Sequence, residues 1–379
     1  MSLPIVACVL LLTVLASSQF VNGCYTSIFA FGDSIIDTGN YISLISKGLL
    51  QYDEIPNCST PPYGETFFHH PTGRCSDGRL IIDFIAEHYG LPLLPPYSGG
   101  GNANPGGGVN FAVIGAPALT DDVLQADWSY SRDNISMMSQ INMFKSLLPS
   151  ICKTSSCDEI FDKSLIIFGS FGSNDYAPTM LSKRVEDAYR LQPLIVNAIG
   201  SAIEELIKLG VVNIMVPGML PVGCLAGCLA VYYGSNEEDY DLSTGCLTWL
   251  NEFGQKHNRL LQKELTRIQE HYPNVFITYA DYYNARLELF LSPEKYGFNN
   301  ETGVIACCGS GGPYNAEGDT KCGYPSSHAC NDPSSYIEWD GAHLTQAANR
   351  WIARGLLSGL YTSPNITASC STSTSAMWI

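Results

Sequence analysis

The sequence is poor in positive charge. Its 379 residues contain 20 Lys and Arg against 36 Asp and Glu, which gives a formal net charge of -16. No cluster of basic residues interrupts this balance, whereas a nucleic-acid-binding protein needs a basic face for the phosphates. The composition therefore argues against a nucleic-acid partner.

Long apolar runs are missing from everything but the amino terminus. The run at residues 3–16 is too short to span a bilayer, and the small residues Ser17, Ser18 and Gly23 follow it. This pattern predicts a secretory signal peptide over residues 1–23. We expect the mature chain to be secreted or vacuolar and to have no integral membrane segment.

Signatures for cofactors are also lacking. The glycine-rich stretch at 98–108 has no Gly-Lys-Ser/Thr motif, so it does not predict phosphate binding. Cys224 and Cys228 have the spacing of half a zinc site, but no second pair with histidine follows, and disulfide bonding is the better interpretation. The sequence predicts neither a metal nor an organic cofactor.

Cysteines, in contrast, are abundant. Of the 14 cysteines, removal of Cys8 with the signal peptide leaves 13, and in an oxidising compartment most of these should pair. The odd number leaves at least one free thiol or an intermolecular bridge. Cys152/Cys157 and Cys322/Cys330 are plausible local pairs, although spacing alone does not determine connectivity.

Sites for N-glycosylation also agree with export. Four Asn-x-Ser/Thr sequons occur in the chain, and each is a candidate acceptor on a surface loop. They are Asn57, Asn134, Asn300 and Asn365.

Predicted strands and helices alternate along the chain. Apolar runs predict strands at 28–31, 109–115, 165–169, 211–216 and 275–280, and helical spacing predicts helices at 80–89, 188–209, 247–268 and 346–357. This order predicts a single-domain three-layer α/β/α sandwich with a mostly parallel sheet. The domain should cover residues 24–365, with a flexible tail at 366–379. The segment 56–78, rich in Pro, Gly and His, is expected on the surface.

The first predicted strand stops abruptly at Gly32-Asp33-Ser34. A serine at the carboxyl end of a parallel strand, beside a glycine, is where an α/β protein can present a nucleophile. Gly, Asp and Ser are also the usual turn formers, so an ordinary turn is the alternative. The choice between them depends on partners further along the chain.

A nucleophilic serine needs a base, and the base needs an orienting acid. Among seven histidines, His343 has an acid, Asp340, three residues before it in a short loop. Thr345 is a good N-cap for the helix that follows. Asp340 could therefore bind one ring nitrogen while the other faces Ser34, although an ordinary loop before a helix remains the alternative. His257, in the middle of a predicted helix, is expected to have a packing or capping role.

Acyl transfer also needs donors for the developing oxyanion. The candidates are the backbone N–H groups of Ser34 and Gly115 and the side-chain amide of Asn174. Taken separately, Gly115 could be a close strand–helix contact and Asn174 a turn or cap. All of these residues, together with Asp340 and His343, are expected at consecutive strand ends, where doubly wound sheets bind ligands.

Four blocks occur in order: Phe31-Gly32-Asp33-Ser34-Ile35, Val109-Asn110-Phe111-Ala112-Val113-Ile114-Gly115, Gly172-Ser173-Asn174-Asp175-Tyr176 and Asp340-Gly341-Ala342-His343-Leu344. With further stretches at 216–224, 281–284 and 307–315, the chain resembles the plant GDSL esterase/lipase family of the SGNH hydrolase superfamily. The resemblance covers about residues 27–361.

The resemblance implies a role for each matching residue. Ser34 would be the nucleophile, His343 the general base and Asp340 its orienter, with Ser34, Gly115 and Asn174 as the oxyanion hole. The departures from the family pattern leave these groups in place. They are Ile35 in place of Leu, Ser173 where Gly is common, Met219 where Asn is common, and the lack of a frequent later glycine in 116–119.

The implied function is a two-step hydrolysis of small-molecule esters through an acyl-enzyme. The pattern is most similar to the subgroup that contains acetylajmalan esterase and sinapine esterase, which implies short-acyl or phenolic esters of plant specialised metabolites. From the predicted signal peptide we expect an apoplastic or vacuolar location, and we expect a monomer. Two alternatives stay open. One is an acyltransferase that uses the same serine with an alcohol acceptor, and the other is a catalytically silent secreted binding or defence protein.

Overall fold

A computed structural model describes residues 24–50, 57–97, 107–120, 135–153, 156–316 and 321–367. The predicted signal peptide, the sequon residue Asn134, residues 98–106 of the glycine-rich stretch and residues 368–379 of the predicted tail lie outside these ranges.

The described residues form a six-stranded sheet with helices on both faces. Its strands are β1 (Ser27–Phe31), β2 (Gly108–Asn110), β3 (Ser164–Phe168), β4 (Asn213–Pro217), β5 (Phe276–Ala280) and β8 (Thr362–Ser363), and a second, two-stranded sheet pairs β6 (Cys308–Gly309) with β7 (His328–Ala329). The strand order in the large sheet is β2-β1-β3-β4-β5-β8, and all neighbours are parallel except β5 and β8.

Ten α-helices lie within the described ranges. They are α1 (Asn40–Ser46), α2 (Ile81–His88), α3 (Met137–Ile151), α4 (Cys157–Phe161), α5 (Ser173–Leu181), α6 (Val185–Lys208), α7 (Ala226–Val231), α8 (Thr248–His271), α9 (Tyr282–Leu291) and α10 (Gln346–Leu357). The last of these has the predicted bounds, and the hydroxyl of Thr345 caps it by accepting from the backbone N–H of Ala348.

Strand β1 shows why the fold has three layers. All five of its residues are buried, and alternate side chains of a strand point to opposite faces. Phe29 and Phe31 join a cluster with residues of α3, α6 and α8, whereas Ile28 and Ala30 join a second cluster with residues of α2, α9 and α10. A strand that is apolar on both sides needs cover on both sides. The predicted α/β/α architecture is confirmed.

The strand predicted at 109–115 is shorter in the structure, because its own polar side chain ends it. The side-chain oxygen of Asn110 accepts from the backbone N–H of Ala112, which takes that group out of the ladder. Residues 111–113 stay buried and still bond to the chain at the end of β1, with Val113 N–H donating to the Gly32 carbonyl at 3.1 Å.

The segment 56–78 does not lie on the surface throughout, so this prediction was wrong for part of it. Residues 73–78 are buried. Their polar groups are paired inside the protein: Arg74 binds both carboxylate oxygens of Asp83 at 2.8 Å, and the Ser76 hydroxyl donates to the Leu344 carbonyl. Because buried polar groups are tolerated when they are hydrogen-bonded, a polar sequence is compatible with this interior position.

Five disulfides join pairs of described cysteines. They are Cys58–Cys75, Cys152–Cys157, Cys224–Cys246, Cys307–Cys330 and Cys308–Cys322. The Cys152–Cys157 prediction is confirmed, and the Cys322/Cys330 prediction was wrong. The pairing of Cys308 with Ala329 across β6 and β7 places Cys307 beside Cys330, so Cys330 bonds to Cys307, and Cys322 bonds to Cys308. Cys228 carries a free thiol, and the disulfide interpretation was wrong for it.

Two surface features bear on the predictions about export. The sequon residues Asn300 and Asn365 are exposed, and their glycosylation stays a prediction. No helix within the described ranges is long and apolar enough to cross a membrane.

Ile366, at the start of the predicted tail, is buried, and its carbonyl accepts from the Tyr25 hydroxyl.

We expect Gly32→Ala to destabilise the fold, because an added Cβ would lie 2.6 Å from the carbonyl oxygen of Gly169 after β3. Such overpacking costs about 1–3 kcal/mol of unfolding free energy. The matched control is Gly254→Ala in α8, where the Cβ meets no atom closer than 3.6 Å. That change should stabilise the protein by about 0.5–1 kcal/mol, since glycine is a poor helix former. Thermal unfolding midpoints that moved in the same direction for both variants would contradict this account.

Candidate active site

Ser34 lies in a tight turn directly after β1. The carboxylate of Asp33 accepts from the backbone N–H of Ile35 at 3.0 Å, and the Asp33 carbonyl accepts from the next two backbone N–H groups. Before the turn, Gln140 of α3 binds both backbone groups of Gly32, at 2.9 and 2.8 Å. The backbone on either side of Ser34 is therefore held by side-chain contacts, and Ser34 itself is half-buried.

His343 connects this turn to an acidic residue. Its Nε2 lies 2.8 Å from the Ser34 hydroxyl oxygen, and its Nδ1 lies 2.9 Å from each carboxylate oxygen of Asp340. The structure thus brings together the three residues predicted from the sequence, although 309 positions separate Ser34 from His343. A hydroxyl, an imidazole and a carboxylate in this order can move a proton from the hydroxyl to the ring.

Asp340 is held as a carboxylate. One oxygen accepts from the backbone N–H groups of Ala342 and His343 at 2.8 Å, and the other accepts from the Tyr63 hydroxyl at 2.7 Å. Burial alone would raise the pKa of Asp340, but the charge of His343 and these hydrogen bonds outweigh it and lower the pKa to about 2. Asp340 is therefore ionised at neutral and mildly acidic pH.

The pKa of His343 is shifted in the opposite direction. Burial alone would lower it, but the negative charges of Asp340, Asp33 and Glu338 raise the pKa above its usual value of 6.5. Glu338 forms a fully buried ion pair with Arg286 of α9. His343 is thus a stronger base than a free histidine.

Asn174 links the remaining predicted site residues. Its side-chain amide nitrogen lies 3.3 Å from an Asp33 carboxylate oxygen and 3.3 Å from the carbonyl oxygen of Ala116. Asp33 precedes Ser34 and Ala116 follows Gly115, so the three candidate oxyanion donors lie on segments that converge at Asn174. Gly115 has a φ of 77°, a conformation that favours glycine.

Two further carboxylates shape the site and were not identified from the sequence. Asp37 accepts from four backbone N–H groups, including that of Ile114 at 3.0 Å, next to Gly115. Asp175 accepts from the N–H groups of Ala118 and Leu119 at 2.8 and 2.9 Å. Burial raises the pKa of Asp37 to about 6 and that of Asp175 to about 7. Asp175 lies inside the third sequence block and Asp37 lies two residues after the first, which was the available signal.

The loop of Asp340 and His343 does not follow a strand of the large sheet, so the strand-end prediction was wrong for these two residues. The segment of β6 holds the loop instead. Cys307 and Cys308 donate backbone N–H bonds to the carbonyls of Glu338 and Trp339, at 2.9 and 2.7 Å. Two disulfides anchor that segment, which replaces the support that a strand would supply.

His257 has the packing role that its position in α8 predicts. It is fully buried, and its Nδ1 lies 2.9 Å from the hydroxyl of Tyr176, two residues after Asn174. Burial lowers the pKa of His257 to about 4. The residue therefore supports α5 as a neutral side chain.

No group of three or more His, Cys, Asp or Glu side chains in the described part of the chain is arranged to hold a metal ion.

The sequence of the chain is similar to those of known proteins. The sequence model of the family described as GDSL-like lipase/acylhydrolase matches residues 28–356. A GDSL esterase/lipase of Arabidopsis thaliana is 49% identical over 352 residues, which cover 92% of this chain and 89% of the relative. Another from the same plant is 47% identical, covering 91% and 87%. A sinapine esterase of Brassica napus is 47% identical over 362 residues, covering 94% and 91%.

We expect His257→Gln to make the protein less sensitive to acid. The unfolded chain binds a proton at His257 below pH 6.5, but the folded chain does so only near pH 4. Between these values the residue lowers the unfolding free energy by about 1.4 kcal/mol for each unit that the pH falls. A glutamine oxygen can still accept from Tyr176 but binds no proton.

The measurement is the unfolding free energy of both proteins from pH 7 to 4. The buried carboxylates Asp33 and Asp37, whose pKa values are raised to about 6, act in the opposite sense, and they contribute equally to both proteins. The difference between the two curves therefore isolates His257. A constant difference across the range would contradict the prediction.

Proposed function

The chain belongs to the GDSL-like lipase/acylhydrolase family and is a carboxylic ester hydrolase, and on that premise we propose that Ser34, His343 and Asp340 are its catalytic triad. The observation that carries the proposal is the continuous set of hydrogen bonds from the Ser34 hydroxyl, through both ring nitrogens of His343, to the Asp340 carboxylate.

In the first step, the Ser34 oxygen attacks the ester carbonyl carbon while His343 Nε2 takes the hydroxyl proton. Asp340 accepts from Nδ1–H, which keeps the ring in the tautomer that has a free Nε2 and stabilises the imidazolium that forms. The tetrahedral intermediate then expels the alcohol, which takes the proton from Nε2. The acid half of the ester remains bound to Ser34.

In the second step, water replaces the alcohol. His343 takes a proton from the water as its oxygen attacks the acyl carbonyl, and the proton returns to Ser34 when the acid leaves. The second step therefore uses the same proton-transferring side chains as the first, and transfer to another alcohol would need an acceptor that competes with water.

The proposed oxyanion donors are the backbone N–H groups of Ser34 and Gly115 and the side-chain amide of Asn174. The contacts of Asn174 with Asp33 and Ala116 support this assignment, because they orient its nitrogen and not its oxygen toward the segment of Ser34. An amide also supplies donors without adding a charge to a buried site.

We propose that the substrates are small esters, with short-acyl or phenolic esters of plant specialised metabolism as the first class to test. The support is similarity: a relative 47% identical over 94% of this chain is named a sinapine esterase. The proposed mechanism specifies the ester group and neither of the groups attached to it, so the class is tested by varying both halves of the ester.

We also propose that the protein is exported, to the apoplast or the vacuole. The five disulfides between described cysteines support this, because such bonds persist in oxidising compartments. The predicted signal peptide at 1–23 and the four sequons agree with it, and a monomer is expected.

We expect Ser34→Ala to abolish turnover of nitrophenyl esters, with at most about 10³-fold acceleration left from binding and the oxyanion donors. Hydrolysis is followed by absorbance across a series of acyl lengths, and a steep fall beyond acetyl or butyryl would indicate a small acyl pocket. The control is Ser27→Ala, a serine at the opposite end of β1 whose hydroxyl binds that of Ser164. Undiminished activity in Ser34→Ala would refute the proposed nucleophile.

We expect kcat/KM to fall as the pH drops through a midpoint above 6.5. The pKa of His343 is raised, so the ring becomes protonated, and stops acting as a base, at a higher pH than a free histidine. Asp340→Asn should lower kcat on the order of 10⁴-fold, as in other serine triads, and move the midpoint to lower pH by removing the nearest negative charge.

The pH–rate profiles are measured with a fluorogenic ester, because fluorescence is sensitive enough to follow the low rate of Asp340→Asn. Glu186→Gln, an exposed carboxylate at the start of α6, serves as the control and should leave the midpoint unchanged. A midpoint that is equal in the wild type and Asp340→Asn would show that another group controls the acid limb.

A further inference from the structure

Tyr63 lies in the Pro61-Pro62-Tyr63-Gly64 stretch of the segment that was expected on the surface, but only 1% of its surface is exposed. Its hydroxyl donates to a carboxylate oxygen of Asp340 at 2.7 Å. We propose that Tyr63 is a positioning residue of the esterase, which fixes the rotation of the Asp340 carboxylate and through it the orientation and basicity of His343. This inference rests on the proposed function.

The hydrogen bonds of Asp340 show why one hydroxyl matters. One carboxylate oxygen has two backbone donors, the N–H groups of Ala342 and His343, whereas the oxygen that faces Tyr63 has no backbone donor among the described contacts. Both oxygens lie 2.9 Å from Nδ1 of His343. Without the hydroxyl, the second oxygen would depend on His343 alone, and the carboxylate could rotate about its Cβ–Cγ bond.

The surroundings of Tyr63 hold it in place. Its ring packs edge-on against Trp339, with ring centroids 5.7 Å apart, and Trp339 precedes Asp340 in the chain. The disulfide Cys58–Cys75 closes the segment that contains Tyr63, and the same apolar cluster contains Cys307, Cys308 and Cys322. The ring is closed off from solvent, so Tyr63 acts on turnover only through the residues that it contacts, of which Asp340 belongs to the proposed triad.

The charges around the pair determine the direction of the effect. Besides Asp340, the groups that act on His343 are Asp33 from the turn after β1 and Glu338, which is paired with Arg286 of α9. Burial raises the pKa of the Tyr63 phenol well above 10, so it remains a neutral donor. The hydrogen bond from the Tyr63 hydroxyl partly neutralises the negative charge of the Asp340 carboxylate. Removal of the hydroxyl therefore leaves more of that charge for the imidazolium, and the pKa of His343 should rise further.

The test is Tyr63→Phe, with Tyr25→Phe as the matched control. Tyr25 is also a buried tyrosine whose hydroxyl donates, in its case to the carbonyl of Ile366. We expect kcat of Tyr63→Phe to fall on the order of tenfold, with KM unchanged and the acid midpoint of kcat/KM at higher pH, because a hydrogen bond to a charged group is lost. Tyr25→Phe should match the wild type in all three quantities.

A double variant separates positioning from packing. In the Asp340→Asn background, the added change Tyr63→Phe should have no further effect on kcat, because the group through which Tyr63 acts has gone. An equal tenfold loss in both backgrounds, an unchanged pH midpoint, or wild-type kinetics in Tyr63→Phe would overturn the proposal. If Ser34→Ala retained activity, the proposed function would fail instead, and the two failures are therefore distinguishable.

Should Tyr63→Phe not fold, the hydroxyl can be modified in place by site-specific incorporation of 3-fluorotyrosine at position 63. Fluorination makes the phenol a stronger donor with little change in shape, so the acid midpoint should move to lower pH. The low-field NMR signal of the His343 Nδ1 proton should shift as well. The same residue at position 25 should change neither, and no change at position 63 would overturn the proposal.

Discussion

The contact between Ser34 and His343 is the constraint on which the rest of the site depends. It joins a turn at the end of the first strand to a loop more than 300 residues later, and a proton can pass only while the two atoms stay within hydrogen-bond reach. Neither segment is a helix or a strand. Each must therefore be held by contacts that its own backbone does not supply.

Buried carboxylates hold the turn side of the site. The three are Asp33, Asp37 and Asp175. Each accepts hydrogen bonds from backbone N–H groups of loop residues, which have no partner in a helix or a strand. A buried acid without such donors would be costly, and backbone N–H groups without acceptors equally so, which makes the two requirements complementary. The result is a rigid frame in which Gly115 and Asn174 converge on the segment of Ser34.

Disulfide-bonded segments hold the histidine side. The loop of Asp340 bonds to the backbone of Cys307 and Cys308, and the ring of Tyr63 packs beneath it within the closed segment Cys58–Cys75. Cross-links of this kind limit the freedom of loops that have little regular structure. The cysteines that indicate export are thus also close to the proposed catalytic machinery, and the two properties of the chain are physically connected.

Much of this protein could be predicted from local sequence. Apolar runs identified the main strands, helical spacing and the Thr345 cap identified α10, and the four blocks pointed to Ser34, Gly115, Asn174, Asp340 and His343. These features depend on residues close together in the chain, where periodicity and turn chemistry act directly. The depth of the segment 73–78 could not be predicted, because polar residues are buried only when distant partners satisfy them.

The sequence by itself determined the layered α/β fold and the identity of the residues that could form a site. Tertiary structure alone decided which cysteines pair at 307, 308, 322 and 330, that the histidine loop is supported by β6 instead of a strand of the large sheet, and that Tyr63 binds Asp340 across 277 positions. The physical reason is the same in each case. These contacts join segments with no local pattern in common, and only the packing of the whole chain brings those segments together.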